Sequence, residues 1–310
     1  MAQPAPFYAK IAGAPEGTAA WYVTAGEVRL RVALSPRGPR GLALILPGRT
    51  EYVEKYGQVM SLLAGAGFGS AVIDWRGQGL ATRPRDPMLG HVGRFAEYQD
   101  DLAAVLALPQ ISAHPGPRVL IAHSMGGAIG MRALQRGLGV QAAVFTSPMW
   151  GIALDPWMQP LARLLARLGT ALGLGLRRAP GGKPEPYVLE ADFDDNDLTS
   201  DRPQYERMIA HLVAHPELGL AGPSFAWADA AFREIDALAR LPGPALPVLG
   251  FLGTAERVVS ADAIRSRFAQ MPQARLEELT GARHEPWMET PEIRGQVWEM
   301  TEAFFTAQGI

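Results

Sequence analysis

The sequence contains no cysteine among its 310 residues, which excludes disulfide bonds and thiolate chemistry and fits a cytoplasmic protein. It also lacks any run of about 18 uncharged apolar residues, so it predicts no transmembrane helix. The first ten residues have neither the basic segment nor the apolar core of a signal peptide. We therefore expect a cytoplasmic protein, and contact with the inner face of a membrane remains open.

The charges are nearly balanced, with 29 Lys and Arg residues against 31 Asp and Glu residues and a net charge of -2. Because nucleic-acid binding relies on an excess of basic side chains, we expect no nucleic-acid partner. The hydrophobic content of 48% is ordinary for a globular protein. A chain of this length can bury the core of one large domain, with or without an insertion.

Short apolar runs alternate with segments of helical periodicity along most of the chain. Such runs are typical of parallel strands buried on both faces, and their alternation with helices predicts a doubly wound sheet. We expect an α/β protein with a mostly parallel sheet, after an irregular arm over residues 1–20 and two antiparallel strands. The expected parallel strands cover residues 41–46, 70–74, 118–122, 142–146, 247–252 and 275–279.

Residues 148–230 break this alternation, and we expect them to form a helical cap inserted into a core made of residues 1–147 and 231–310. The first cap helix has leucines along one face. This face either packs against the core, forms a wall for an apolar substrate, or contacts lipid. The leucines are Leu161, Leu164, Leu165, Leu168 and Leu172.

Ser124 lies between an apolar run that predicts a buried strand and a segment that predicts a helix. Small residues, Ala122 and Gly126, stand two positions before and after it. This pattern is typical of a nucleophile elbow, a tight turn that holds a serine at a strained backbone position and excludes large flanking side chains. Glycine is usual at both flanking positions, so Ala122 is a small departure. Ser124 is the candidate nucleophile.

A serine nucleophile needs a base that accepts its proton. Among the six histidines, only His284 follows the last predicted strand, which makes it the candidate base. His123 is adjacent to Ser124 and should point away from it, because neighbours in an elbow diverge. The remaining histidines precede the last strands or belong to the cap: His91, His114, His211 and His215.

The base in turn needs an acid that orients it, and the usual chain order is nucleophile, acid, histidine. Glu256 follows the strand at residues 247–252 and is the candidate acid. The alternative is that Glu256 is a surface carboxylate and that Asp262 or Asp236 is the true partner.

Two backbone N–H groups should stabilise the oxyanion that forms during acyl transfer. One is that of Met125, directly after the nucleophile, and the other is that of Arg49, after the strand at residues 41–46. The Arg49 side chain could in addition reach a phosphate group of a substrate, or lie on the surface.

Together these motifs resemble the monoacylglycerol lipase and bacterial lysophospholipase family of α/β-hydrolases. The resemblance implies the α/β-hydrolase fold and hydrolysis of a fatty-acyl ester on glycerol or glycerophosphate. Glu256 departs from the aspartate that is commoner at its position. The resemblance rests on L-P-G-R-T-E-Y-V-E-K-Y (46–56), D-W-R-G-Q-G-L-A-T-R (74–83), A-H-S-M-G-G (122–127), N-D-L-T-S-D-R-P-Q-Y (196–205), G-P-S-F-A-W (222–227), G-T-A-E-R-V-V (253–259) and G-A-R-H-E (281–285).

We therefore expect a serine esterase that forms an acyl-enzyme, acts on a lipid or small-molecule ester and needs no metal or organic cofactor. The cap should shape the acyl site and is the candidate for membrane contact, while the oligomeric state is left open. The expected substrate-binding residues in the cap are Met149, Trp150, Trp157 and Met158.

Two alternatives remain. One is another acyl or amide hydrolase, such as an aminopeptidase, and the acidic run at residues 192–197 could then hold a free amino terminus. The other is a non-catalytic binding protein of the same fold, although such a protein would typically have lost a member of the triad.

Overall fold

One sheet organises the fold in the computed structural model, which describes residues 3–310. Its strands are β1 (Gln3–Ala5), β2 (Ala19–Ala25), β3 (Val28–Leu34), β4 (Gly41–Leu46), β5 (Phe68–Asp74), β6 (Arg118–His123), β7 (Ala142–Thr146), β8 (Val248–Gly253) and β9 (Ala274–Leu279). The strand order is β1-β2-β3-β5-β4-β6-β7-β8-β9. The first three strands pair antiparallel, β3 also runs antiparallel to β5, and the rest of the sheet is parallel.

The helices follow the strands in alternation, with most of the exceptions between β7 and β8. They are α1 (Ala9–Ala12), α2 (Gly57–Gly65), α3 (Ala96–Leu106), α4 (Pro109–Ser112), α5 (Met125–Gln135), α6 (Met158–Ala171), α7 (Tyr187–Glu190), α8 (Arg202–Ala214), α9 (Phe225–Ala239), α10 (Ala261–Ala269) and α11 (Pro291–Ala307). Short 3₁₀ helices cover Val53–Tyr56, Phe193–Asp195, Pro216–Leu218 and Pro286–Met288. In the described part of the chain, none of the helices combines the length and the hydropathy that crossing a bilayer requires.

The parallel strands β4 to β8 are buried on both faces, as their continuous apolar runs predict, whereas the edge strand β9 is only partly buried. In β4, Leu42, Leu44 and Leu46 belong to one core cluster, while Ala43 and Ile45 belong to the cluster on the opposite face. Helices α3, α5 and α10 contribute to the first cluster, and α2 and α11 contribute to the second. Because the central strands are parallel, the loops after β4, β6, β7, β8 and β9 all leave at the same edge of the sheet.

The prediction of an α/β protein with a mostly parallel sheet is confirmed. The expectation of an irregular arm over residues 1–20 is wrong within the described residues, and Met1 and Ala2 lie outside them. β1 forms the edge of the sheet and pairs with β2, with Gln3 opposite Tyr22, and α1 forms a single helical turn that ends at Gly13. Both elements depend on tertiary contacts that a local pattern does not reveal.

The predicted cap, residues 148–230, contains α6, α7, α8 and the start of α9. Helix α9 continues without a break through residues 230 and 231, where the sequence suggests the boundary. Helix α6 packs on α9 with its small residues, because a Cβ added at Gly169 would lie only 2.4 Å from the Phe225 ring. The leucine face therefore points outward, and Leu172 is 74% exposed. The interpretation that this face packs against the core is wrong.

Candidate active site

Ser124 occupies the sharp turn between β6 and α5, with a φ of 50° and a ψ of -119°. A positive φ is costly for a residue with a side chain, so the surrounding packing must hold this conformation. The turn leaves no room beside Gly126, where an added Cβ would lie 2.0 Å from the Leu46 carbonyl oxygen. Ala122 is fully buried and packs against Gly130, because a Cβ added at Gly130 would lie 3.2 Å from the Cβ of Ala122. The elbow geometry inferred from the sequence is thus present.

A chain of two hydrogen bonds links Ser124 to residues far along the sequence. Its Oγ lies 2.9 Å from Nε2 of His284, and Nδ1 of His284 lies 2.8 Å from Oε2 of Glu256. The other carboxylate oxygen of Glu256 accepts hydrogen bonds from the N–H groups of Val258 and Val259, at 2.6 and 3.1 Å. The three side chains come together because their loops follow β6, β8 and β9 at one edge of the sheet.

The electrostatics favour a charged Glu256 and a basic His284. Burial opposes ionisation of Glu256, but the neighbouring imidazolium and the hydrogen bonds outweigh it and lower the pKa of Glu256 to about 2. Burial likewise opposes protonation of His284, but the Glu256 carboxylate outweighs this effect and raises the pKa of His284 above 6.5. An imidazole with a raised pKa is a stronger acceptor for the Ser124 proton.

The competing residues considered from the sequence lie elsewhere. Nδ1 of His123 lies 3.0 Å from the carbonyl oxygen of Thr146, and burial lowers the pKa of His123 to about 3, so this ring is neutral. Asp262 points into solvent, and Asp236 pairs with Arg163 at 2.7 Å. Glu256 is therefore the acid in contact with His284.

The loop after β4 brings backbone donors close to Ser124. A Cβ added at Gly48 would lie 3.0 Å from the Ser124 Cβ, which shows how closely the two loops approach. The N–H groups of Arg49 and Met125 have no acceptor among residues 3–310. Unpaired donors next to a nucleophile are what an oxyanion hole requires.

The Arg49 side chain turns toward the cap segment. Its Nη1 donates to the Ala221 carbonyl oxygen at 2.7 Å, and its guanidinium lies 5.3 Å from the centre of the Trp227 ring. Burial lowers its pKa to about 10, which still leaves it charged at neutral pH. This arginine therefore fastens the loop after β4 to the cap.

Ser124 and His284 open into a cavity of ≈ 370 Å³ between the core and the cap. Its outer wall is mostly apolar and comes from the cap and the segments beside it. Sequence reasoning missed these residues, although Met208 and Leu212 of α8 have the spacing of one helix face. The apolar lining residues are Pro186, Val188, Leu198, Met208, Leu212, Leu220 and Val258.

The expected substrate-binding residues of the cap are corrected by the structure. The cavity wall formed by the described residues includes none of the four. Met149 and Trp150 are buried in the core, where the Trp150 ring packs on Phe145, while Trp157 is 71% exposed and Met158 is also exposed. Their place in the predicted cap did not indicate in which direction these side chains point.

The chain matches the model of the family described as serine aminopeptidase, S33, over residues 37–291. It is 34% identical over 258 residues to lysophospholipase L2 of Escherichia coli strain K12, an alignment that covers 78% of this chain and 71% of the relative. The chain belongs to the lysophospholipase and monoacylglycerol lipase family. It is accordingly a carboxylic ester hydrolase with the α/β-hydrolase fold.

A second relative agrees with this family membership, and a solved structure agrees with the fold. The hydrolase is 27% identical over 271 residues to the probable lysophospholipase L2 of Haemophilus influenzae, covering 87% of this chain and 85% of the relative. Its fold is similar to the crystal structure of a soluble variant of monoglyceride lipase from Saccharomyces cerevisiae, with a TM-score of 0.75 and 20% identity. That match covers 98% of this chain and 100% of the yeast chain.

A buried group of charges lies at the base of the cavity of the hydrolase. Nζ of Lys55 contacts carboxylate oxygens of Glu51 at 2.7 Å and of Glu285 at 2.5 Å. Glu51, Glu285 and His123 also have the arrangement of a three-ligand cation site, with their ligand atoms within 4.8 Å of one another. Lys55 already supplies the positive charge there, so we assign this group no metal. Sequence reasoning did not single out Glu51, Lys55 or Glu285, although all three lie in motifs that carried the resemblance.

Proposed function

We propose that the hydrolase cleaves fatty-acyl esters of lysophospholipids, with Ser124, His284 and Glu256 as its catalytic triad. The observation that carries this proposal is the hydrogen-bonded chain of these three side chains at the base of a largely apolar cavity. The chain supplies a nucleophile, a base and an orienting acid, and the apolar wall suits an acyl chain.

In the first half of the reaction, Ser124 Oγ attacks the ester carbonyl carbon while His284 Nε2 accepts the hydroxyl proton. The charge on the carbonyl oxygen is stabilised by the N–H groups of Arg49 and Met125. When the tetrahedral intermediate collapses, the bond to the alcohol breaks and His284 donates its proton to the leaving oxygen. Glu256 stays ionised and stabilises the imidazolium throughout.

In the second half, water attacks the acyl-enzyme and His284 accepts one of its protons. The second tetrahedral intermediate expels Ser124, which regains its proton from His284, and the fatty acid leaves. Every proton is handled by His284, so the reaction requires neither a metal nor an organic cofactor.

We favour a phosphate-bearing substrate over a neutral monoacylglycerol. Lysophospholipase L2 is the name of the relative at 34% identity. Arg257 lines the cavity beside Glu256 and is exposed, and it forms no ion pair within residues 3–310. A free guanidinium at the rim would attract a phosphodiester. Monoacylglycerol remains the second substrate to be tested.

The proposal is tested by turnover of lysophosphatidylethanolamine, lysophosphatidylcholine, monoacylglycerol and p-nitrophenyl esters of increasing chain length. The native protein should prefer long acyl chains, and Ser124→Ala should lose turnover of every ester while it keeps its fold. A short-chain optimum with all lipids refused would refute the lipid assignment. Full activity of Ser124→Ala would refute the triad.

An aminopeptidase of the same fold is the second candidate, because the family description names one. Of the acidic run in the cap, only Asp197 lines the cavity, while Asp192, Asp194 and Asp195 are exposed on the outside. A single carboxylate is a weak site for a free amino terminus, which favours the esterase. Turnover of aminoacyl p-nitroanilides in preference to esters would reverse this ranking.

We also propose that the outer face of α6 contacts a lipid surface. This face presents Trp157, Leu161, Leu164 and Leu172 to solvent, and such a continuous apolar surface is unusual on a protein without a partner. Flotation with anionic vesicles should recover the native protein but not Leu164→Asp, and both should turn over p-nitrophenyl acetate equally. Equal recovery of both proteins would refute the contact.

A further inference from the structure

The group Glu51, Lys55 and Glu285, named here the ion cluster, is almost completely enclosed. The three residues are 3%, 5% and 5% exposed, although all three line the cavity. Burial by itself would lower the pKa of Lys55, but the two carboxylates outweigh it and raise the pKa, so the lysine is charged. Buried ions are costly, and this arrangement therefore needs an explanation beyond packing.

On one side, the ion cluster holds the loop that carries the oxyanion donors. The Oε2 atom of Glu51 accepts a hydrogen bond from the Gly48 N–H and another from the Tyr56 hydroxyl at 2.7 Å. Gln78 donates to the Gly48 carbonyl oxygen at 3.0 Å and fixes the other end of this residue. The peptide between Gly48 and Arg49, whose N–H is the proposed donor, is thus held on both sides of Gly48, by Glu51 at its N–H and by Gln78 at its carbonyl oxygen.

On the other side, the ion cluster holds the loop that carries the base. Glu285 directly follows His284, and both residues donate backbone N–H hydrogen bonds to the cap segment, to Leu198 and Asp197 at 2.9 and 3.2 Å. The Glu285 side chain is anchored to Lys55. Strands β4 and β9 are not neighbours in the sheet, because β6, β7 and β8 lie between them. Strand pairing therefore does not hold the loops that follow β4 and β9 next to each other.

We propose that Lys55 is a positioning residue, which bridges Glu51 and Glu285 and so holds the oxyanion loop and the His284 loop in register. This inference rests on the proposed triad. Lys55 itself takes no part in bond making. It suits the task because one ammonium group can donate to two carboxylates at once, whereas the carboxylates would repel each other without it.

The first test is Lys55→Met compared with Lys55→Arg. Without a cation, Glu51 and Glu285 cannot both stay charged and in place, and the Gly48–Arg49 peptide should lose its orientation. We expect kcat to fall about 10²-fold, because a misplaced oxyanion donor acts mainly in the transition state, while KM changes little. Lys55→Arg keeps a cation with several donors and should recover most of the lost kcat.

The second test uses Glu285→Gln, which keeps the shape of the side chain and needs no large rearrangement. Glu256, Glu285 and Glu51 are the carboxylates that raise the pKa of His284, Lys55 pairs with the last two, and burial keeps the neighbouring His123 neutral. Removing one negative charge should lower the pKa of His284. The acid limb of the kcat/KM profile should therefore move to lower pH, which a purely structural role would not produce.

A second ion cluster in the same protein serves as the matched control. Arg31 bridges Glu54 at 2.8 Å and Asp74 at 2.6 Å, and all three side chains are fully buried. It has the same number and signs of charges, and although Asp74 accepts a hydrogen bond from the Val53 N–H at 2.8 Å, none of its side chains bonds Gly48, Arg49, His284 or Glu285. Both Arg31→Met and Lys55→Met should lower the stability, because each leaves two buried carboxylates without a cation, but only Arg31→Met should retain the native pH profile and the native kcat per folded molecule.

The outcomes separate this inference from the proposed function. Native kcat in folded Lys55→Met, with an inactive Ser124→Ala, would overturn the positioning role and leave the triad intact. An equal loss of kcat per folded molecule in Arg31→Met would overturn it as well, because the effect would then be one of general stability. An active Ser124→Ala would instead overturn the proposed function.

Discussion

Substitution of Glu256 by glutamine tests the proposed triad most directly. Glutamine has the length of glutamate and can still accept hydrogen bonds from the N–H groups of Val258 and Val259, so the loop should keep its shape. What is lost is the negative charge beside His284. The Glu256 side chain is only 1% exposed, so solvent would do little to replace that charge.

The contact distance sets the expected magnitude. With Nδ1 and Oε2 2.8 Å apart, the two charges are centred roughly 4 Å apart, and at an effective dielectric constant near 20 they interact by about 4 kcal/mol. Losing this stabilisation of the imidazolium slows the reaction by about 10³-fold. The amide can also donate to Nδ1 and favour the wrong tautomer, which extends the loss toward about 10⁴-fold.

The assay is steady-state hydrolysis of a p-nitrophenyl ester between pH 5 and 9, with circular dichroism as the check on folding. Asp262→Asn is the control, because Asp262 was the competing acid and its side chain lies in solvent; it should keep native kinetics. The reasoning would be refuted if folded Glu256→Gln lost less than about tenfold in kcat/KM.

Three further outcomes follow from the same geometry. Because Glu256 raises the pKa of His284, the base is protonated and inactive below that pKa, and the acid limb of kcat/KM in the native protein should lie above pH 6.5. Leu212→Trp should fill part of the ≈ 370 Å³ cavity, and turnover of p-nitrophenyl palmitate should then fall far more than that of the acetate. Gly126→Ala should lower the melting temperature, because the added Cβ would lie 2.0 Å from a carbonyl oxygen. Gly295→Ala is the control and should not lower the melting temperature, because a Cβ there meets nothing within 4 Å.

The contacts among Ser124, His284 and Glu256 could be predicted from the sequence because the parallel sheet determines them. Ser124 and Glu256 follow apolar runs, His284 follows the last predicted strand, and the carboxyl ends of parallel strands meet at one edge whatever the rest of the chain does. Predicting the strands was therefore enough to predict that the loops after β6, β8 and β9 would converge. Their catalytic roles stay predictions until the variants are measured.

The cap could not be predicted in the same way, because no sheet determines where its side chains point. The leucines of α6 follow the pattern of a buried face, yet the small residues Ala166 and Gly169 lie against α9 and the leucines are outside. Either the leucine face or the small-residue face of a helix such as α6 can be buried. Which face is buried depends on how closely the neighbouring helix approaches. The same ambiguity explains why Trp157 was misplaced and Met208 was missed.

Because the triad lies at the sheet edge and the apolar wall comes largely from the cap, rate and substrate specificity should depend on different residues. The charges that would carry out the chemistry are attached to the sheet edge and tied together by the ion cluster, so a change there should alter rate for all substrates alike. The apolar wall is supplied by Val188, Met208 and Leu212, and these residues hold no part of the hydrogen-bonded chain. Substitutions in the wall should therefore change which acyl chain is accepted and leave the pH dependence of the reaction unchanged, since that dependence is set by His284 and the carboxylates around it.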